Sequence, residues 1–321
     1  MKNHEKGNSP REGVVVHRIS LAQACWNARG LYILLLLPVI HLIIFNYTPI
    51  YGVLMAFKNF QFSRGILGSP WVGLAQFQRF FSNPNFVQIL RNTMSLTIYG
   101  FIAGWPWPIL FALFIFHSRW TQTAKVMQTV AYAPNFLSTV IVCAIIGQLL
   151  GMRTGGVNMF LSSLGLKEIN FMGSPGLFPH IYVWSGIWQG FGAGSIIYVS
   201  ALSAVDPGLH EAAIIDGANM WQRLWHIDLA TIKPIIVIGL ILGVGGLLGT
   251  SVEKVLMLQN EQNMSVSETI SVYVWRVGLT GSRPDYSYAT AIGLFQNIVG
   301  LILTLSVNKI SKVLTGEAYW F

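Results

Sequence analysis

The sequence predicts an all-α membrane protein of about six transmembrane helices, with a short polar elbow between the fourth and the fifth. Three observations carry this. Hydrophobic residues make up 53% of the 321-residue chain and charged residues 10%, whereas a soluble domain carries roughly 25% charged residues. Stretches free of Asp, Glu, Lys and Arg run over 30–57, 92–118, 126–152, 169–205, 234–252 and 286–308, and a spanning helix needs about 20 apolar residues. Between the fourth and fifth of these lies a compact polar stretch, 206–234, rich in small residues and bounded by Asp206-Pro207 and Pro234.

Residues 1–29 form a separate segment, polar up to Ile19 and expected to be disordered. It is too long and too mixed for the charged region of a cleavable signal, and the apolar run after it exceeds a signal's core. That run therefore reads as a true span. Lys2, Lys6, Arg11, Arg18 and Arg29 precede it, which places the N-terminus inside, because Lys and Arg concentrate on the cytoplasmic side. The inner segments then carry eleven Lys and Arg and the outer segments nine. An even number of spans returns the C-terminal residues 309–321 to the same side.

Residues 58–91 would be the first outer loop. Phe77, Phe80, Phe81 and Phe86 are spaced as in a short amphipathic segment lying on the membrane or on another subunit. The second run contains Trp105-Pro106-Trp107-Pro108, where two prolines remove backbone donors and predict a kink packed in protein. The third contains Ala133-Pro134-Asn135, with Asn135 and Ser138 as candidates for hydrogen bonds between helices. The fourth is longer than a span. Gly173, Pro175 and Pro179 place a loop first and the helix start near His180.

Trp184 and Trp188 in that fourth helix are four apart and share one face, and Gln189 and Phe191 lie beside Trp188. Aromatic faces stack on sugar rings and an amide bonds to hydroxyls. Trp184, Trp188, Gln189 and Phe191 are therefore the candidates for a saccharide path. Plain aromatic packing with an interfacial Trp184 accounts for the same residues. In the fifth run Gly239/Gly243 and Gly245/Gly249 have the GxxxG spacing that lets helices approach closely. Residues 253–285 carry Glu253, Lys254, Glu261, Glu268, Arg276, Arg283 and Asp285 and read as a solvated outer loop. Alternatively Tyr273, Trp275 and Arg276 meet a carbohydrate or another protein.

The elbow has its own local logic. Asp206 caps a helix whose first residue is Pro207, Leu209, Ala212 and Ala213 share one face, and Gly217 closes the helix with a positive φ. A second short helix is expected next, with Trp221, Leu224 and Trp225 on its apolar side, and Pro234 marks the start of the next span. The small residues let another surface come close, and Glu211 offers it a charge. An ordinary interfacial loop is the other reading of the same residues.

The run Glu211-Ala212-Ala213-Ile214-Ile215-Asp216-Gly217-Ala218, continued to Ile227, resembles the EAA loop of bacterial ABC importer permeases. It is similar in particular to the carbohydrate branch and its poly- and oligosaccharide (alginate-type) members. It departs where Leu229-Ala230 stands in place of the family's Leu-Pro. The resemblance extends over 30–321 as one permease domain. It implies a multi-pass inner-membrane subunit that moves an oligosaccharide by alternating access, with an acidic sugar such as an alginate fragment as the candidate substrate. The implied partners are a second related permease, an ATPase dimer and a periplasmic solute-binding protein, with ATP and Mg held by the ATPase. Glu211, Ala212, Ala213, Asp216 and Gly217 would dock in a cleft of that ATPase, and the C-terminal tip, Gly316 to Phe321, would tuck beside it. Two alternatives stand: the same architecture for another solute, and an ion-coupled carrier acting alone.

Several classes are disfavoured. No G-x-x-x-x-G-K-[ST] is present for ATP hydrolysis. The seven His form no i, i+4 pair, and Cys25 and Cys143 are isolated, so neither a metal motif nor a disulfide framework is predicted. No Asp or Glu falls well inside a span, which weakens ion coupling. The net charge of +8 is spread over loops and forms no basic stripe for nucleic acid.

Overall fold

The structure, a computed structural model, describes residues 26–118, 121–280 and 283–315. The expected disordered segment up to Ile19 and the apolar C-terminal tip lie outside these residues. Among the described residues every regular element is helical, apart from one antiparallel bridge between Lys58 and Trp71. The chain divides into two compact units, one ending at Gly52 and the other beginning at Val53.

In the first unit α1 (Arg29–Leu42) is leucine-rich and helix-favouring. It runs through a π turn at Ile43–Tyr47 into a 3-10 stretch at Thr48–Phe57. The helical run Arg29–Phe57 is long and apolar enough to cross a membrane.

In the second unit α2 (Phe86–Gly104) and α3 (Pro106–Phe116) form one membrane-length rod. Pro106 and Pro108 each lack a backbone N–H, yet Trp105 between α2 and α3 keeps helical angles of φ −61° and ψ −39° and its N–H still donates to the Phe101 carbonyl (3.0 Å). The sequence run 126–152 is not one straight span. The pieces built on α4 (Thr121–Tyr132) and α5 (Thr139–Leu150) meet at 99°. The cause is local. Pro134 lacks a donor, Leu137 turns extended, and Ser138 caps α5 by accepting from the Ile141 N–H (3.3 Å). Ser138 thus bonds within its own turn and not across helices as expected.

The central element is α6 (Phe178–Leu202), which begins two residues before His180 with Pro179 in its first turn. At 25 residues it is about 37 Å long, but it is less apolar than a membrane span, so that among the described residues four helices, or five counting the bent pair, are long and apolar enough to cross a membrane, against the six expected. It packs on α2, α3 and α4. Gly192 permits that approach, because a Cβ there would collide with the Ala131 carbonyl.

After α6 come the elbow helix α7 (Pro207–Ile215) and the long rod Met220–Gly245, whose last part is α8 (Leu229–Gly245). The expected second short helix is therefore not separate. Met220–Arg223 passes through a π turn at Leu224–Asp228 straight into α8, and Pro234 lies inside that helix, not at its start. The final helix, α11 (Tyr286–Thr315), packs on α8. Of the expected GxxxG glycines, Gly243 faces Phe101 and Gly245 faces Thr304, with Gly300 close to the Gly245 carbonyl.

Two loop readings are corrected. Residues 253–285 are not a solvated loop. They fold into α9 (Val252–Leu258), a short turn of helix at Met264–Ser267 and α10 (Ile270–Trp275), with Val255, Leu258, Ile270 and Val272 buried. Three of their charges pair: Arg276 bonds Glu268 at 2.8 Å, and Asp285 bonds Arg79 at 2.6 Å. The Ala75–Phe81 helix of the first outer loop lies on this chain's own core, where Phe80 packs with Ile89, Ile270, Tyr288 and Ile292. A second core joins Leu96, Cys143, Phe178, Val255, Leu258 and Val272. A third, toward the elbow, joins Ile109, Leu113, Tyr198, Leu202 and Ile232.

Candidate functional site

The elbow is fixed at both ends by side-chain and backbone caps. Asp206 Oδ1 accepts from the Gly208 N–H at 2.9 Å, which starts α7. At its other end Gly217 has φ +81°, the Gly217 N–H donates to the Ile214 carbonyl (3.0 Å), and the Ala218 N–H donates to the Ala213 carbonyl (2.8 Å). This pair of bonds is a Schellman motif. The chain re-enters helix two residues later through a capping box. Asn219 Oδ1 accepts from the Gln222 N–H (2.9 Å), and Gln222 Oε1 accepts from the Asn219 N–H (2.8 Å). The spacing Asn219-x-x-Gln222 is itself a local sequence signal for this cap.

The lever so formed presents its face to the outside. Glu211, Ala212, Asp216 and Gly217 are exposed, and Ala213 is half-buried. Glu211 makes no ion pair among the described residues. Beside it Ile215 is 85% exposed and Trp221 76%, an apolar surface of the kind that marks an interaction site. Ala213, Asp216, Gly217, Gln222, Arg223 and His226 border a cleft of about 310 Å³ there.

Behind the elbow sits a cluster that the sequence did not reveal. The fully buried Asp228 lies between two imidazoles. Its Oδ2 is 3.2 Å from His117 Nε2, and its Oδ1 is 3.2 Å from His210 Nε2. His117 ends α3, His210 is on α7 one residue before Glu211, and Asp228 opens α8. The other nitrogen of His117 faces the Leu113 carbonyl at 3.2 Å. Each contact is an ion pair when its imidazole is protonated. Among the described residues no group of three or more His, Cys, Asp or Glu side chains is arranged to hold a metal ion. One carboxylate thus ties the elbow to two long helices.

The four saccharide candidates fall into two neighbouring places. Trp184, Trp188 and Phe191 line an almost wholly apolar groove of about 380 Å³ with Trp107, Phe111 and Phe114. Trp107 meets Trp184 edge-on (5.8 Å between centroids), and Phe111 meets Phe191 likewise (5.3 Å). Trp184 Nε1–H donates to the Tyr99 hydroxyl (2.9 Å). Gln189 faces the other way. It lines, with Phe191, Thr139, Tyr182, Ser251 and Lys254, a more polar cavity of about 440 Å³. Its Nε2 donates to the Leu137 carbonyl (2.9 Å), which supports the break between α4 and α5. Lys254, which its charged sequence neighbourhood places in a solvated loop, instead borders this cavity. Burial pushes its ammonium down to about 8.

No family model matches the chain. It is 39% identical over 290 residues, 90% of each chain, to the polygalacturonan/rhamnogalacturonan transport system permease protein YteP of Bacillus subtilis (strain 168). It superposes with a TM-score of 0.83 on a chain of the crystal structure of a bacterial ABC transporter involved in the import of the acidic polysaccharide alginate, at 35% identity, over 92% of this chain and 99% of that one. A second structure, of a bacterial alginate ABC transporter in complex with an alginate pentasaccharide-bound periplasmic protein, matches with a TM-score of 0.83 at 34% identity, over 93% and 99%.

Proposed function

The chain belongs to the permeases of carbohydrate ABC transport systems, and from that premise we propose that it carries an acidic oligosaccharide inward by alternating access. It is a multi-pass membrane protein and a transport subunit, not an enzyme. Its partners in this reading are a second related permease, an ATPase dimer that holds ATP and Mg, and a periplasmic solute-binding protein. The membrane is the bacterial inner membrane, with both termini cytoplasmic.

One observation carries the reading: α7 is a rigid, exposed lever, capped at both ends and tied through Asp228 to α3 and α8. Glu211, Ala212, Ala213, Asp216 and Gly217 form its docking face, with Glu211 free to meet a basic residue of the ATPase. When the ATPase dimer closes, the lever moves, and a stiff connection passes that movement into the spans. The cavity bordered by Gln189, Phe191 and Lys254 lies on the sugar's route in this scheme, and the aromatic groove of Trp184 and Trp188 flanks it.

The test is uptake by the assembled transporter in vesicles. Uptake of an oligogalacturonide is expected only with ATP on the ATPase side and binding protein on the other. Uptake driven by an ion gradient without ATP, or ATP hydrolysis stimulated by amino acids and not by sugars, would overturn it.

A further inference from the structure

Taking acidic-oligosaccharide import as its basis, we propose that Lys254 is the residue that recognises the sugar's carboxylate inside the transport path. Lys254 stands in the first turn of α9, positioned by Ser251, whose Oγ accepts from the Lys254 N–H at 3.3 Å. The side chain is only 7% exposed. Its ammonium makes no hydrogen bond or ion pair among the described residues, and its one contact of note is the Tyr182 ring, 5.1 Å from Nζ to the centroid. The other buried ionisable groups have partners. Glu268 has Arg276 at 2.8 Å, and Asp228 has two imidazoles at 3.2 Å.

An unpaired ammonium taken out of water is unfavourable, and such a group deep among helices marks a ligand or ion path. The space beside Lys254 suits that role. The ammonium reaches the cavity of about 440 Å³, and glycine at position 186 leaves it room, since a Cβ there would stand 3.1 Å from Nζ. A carboxylate in this space would supply the missing counter-ion in a medium that strengthens the attraction. Thr139, Ser251 and Gln189 offer polar groups for hydroxyls, and Phe191 offers a ring face. The depressed lysine is consistent with an ammonium held ready without its partner.

The experiment uses the complete transporter in phosphatidylcholine vesicles, so that no anionic lipid headgroup competes. Uptake of a galacturonate oligosaccharide is compared with that of its methyl ester of the same length. Replacing Lys254→Met should lower kcat/KM for the acid relative to the ester by about ten- to hundredfold, the range of a hydrogen bond to a charged group. Lys254→Arg should retain most of the preference. An unchanged ratio in Lys254→Met overturns the assignment. Should that variant fail to assemble, wild type still decides: a wild type that prefers the ester contradicts a cationic reader, while oligosaccharide import stands. If wild type takes neither sugar, the import reading falls as well.

Discussion

At the residue scale, Lys254 shows what function costs this fold. Its ammonium is drawn from an ordinary 10.5 to about 8, chiefly by burial, with neighbouring Cys143 acting weakly the other way. For a base with a lowered pKa in the folded state, the unfolded chain holds the proton more tightly between about 8 and 10.5. Stability attributable to this residue should therefore rise with pH through that window. Lys254→Met is expected to melt at a higher temperature than wild type at pH 7, and the gap should close toward pH 10. Thermal unfolding of the two purified proteins checks it; a gap that is absent at pH 7 or widens at high pH contradicts the burial argument. This residue was illegible in the sequence for a definite reason. Seven charges over 253–285 look like solvation. Only the fold shows that Glu268 and Asp285 find Arg276 and Arg79 while Lys254 is left unpaired within a helix turn packed on α2, α5 and α6.

At the element scale, the elbow is where local sequence and structure agree best. Asp206-Pro207 starts α7 and Gly217 ends it, because capping and positive φ depend on neighbours a few residues away. What fastens α7 to the rest could not be read. His117, His210 and Asp228 come from three separate elements and share no local pattern. The broken span is a similar case. A charge-free run gives no sign of where a helix turns through 99°, although Pro134 stood at the break. Two variants separate the lever's shape from its fastening. Gly217→Ala forces an alanine into the left-handed region at φ +81° and should cost about 1–2 kcal/mol. Asp228→Ala removes the carboxylate from between two imidazoles and should cost about 3 kcal/mol, as for a broken buried pair. Both should lower the melting temperature, and Asp228→Ala should also reduce sugar uptake per ATP hydrolysed. Unchanged coupling in Asp228→Ala would show that the cluster only stabilises the fold.

At the scale of the whole molecule, four of the six charge-free runs fall on helices long and apolar enough to cross a membrane and a fifth falls on the bent pair, because lipid demands long apolar segments whatever their packing. They did not show how α6 gathers the others, or that helices α9 and α10 between the last two spans pack into the core. The resulting architecture has a lever at one end, a polar cavity bordered by α6 and α9, and an aromatic groove on α3 and α6. In the proposed function the lever receives work from a separate ATPase. The most direct test is co-purification from membranes with wild type and Glu211→Arg, followed by an ATPase assay of what is recovered. Wild type should bring down an ATPase whose activity responds to oligosaccharide and binding protein, and Glu211→Arg should lose the ATPase or its response. Recovery of no ATPase with wild type, or full sugar-stimulated hydrolysis with Glu211→Arg, would contradict the account.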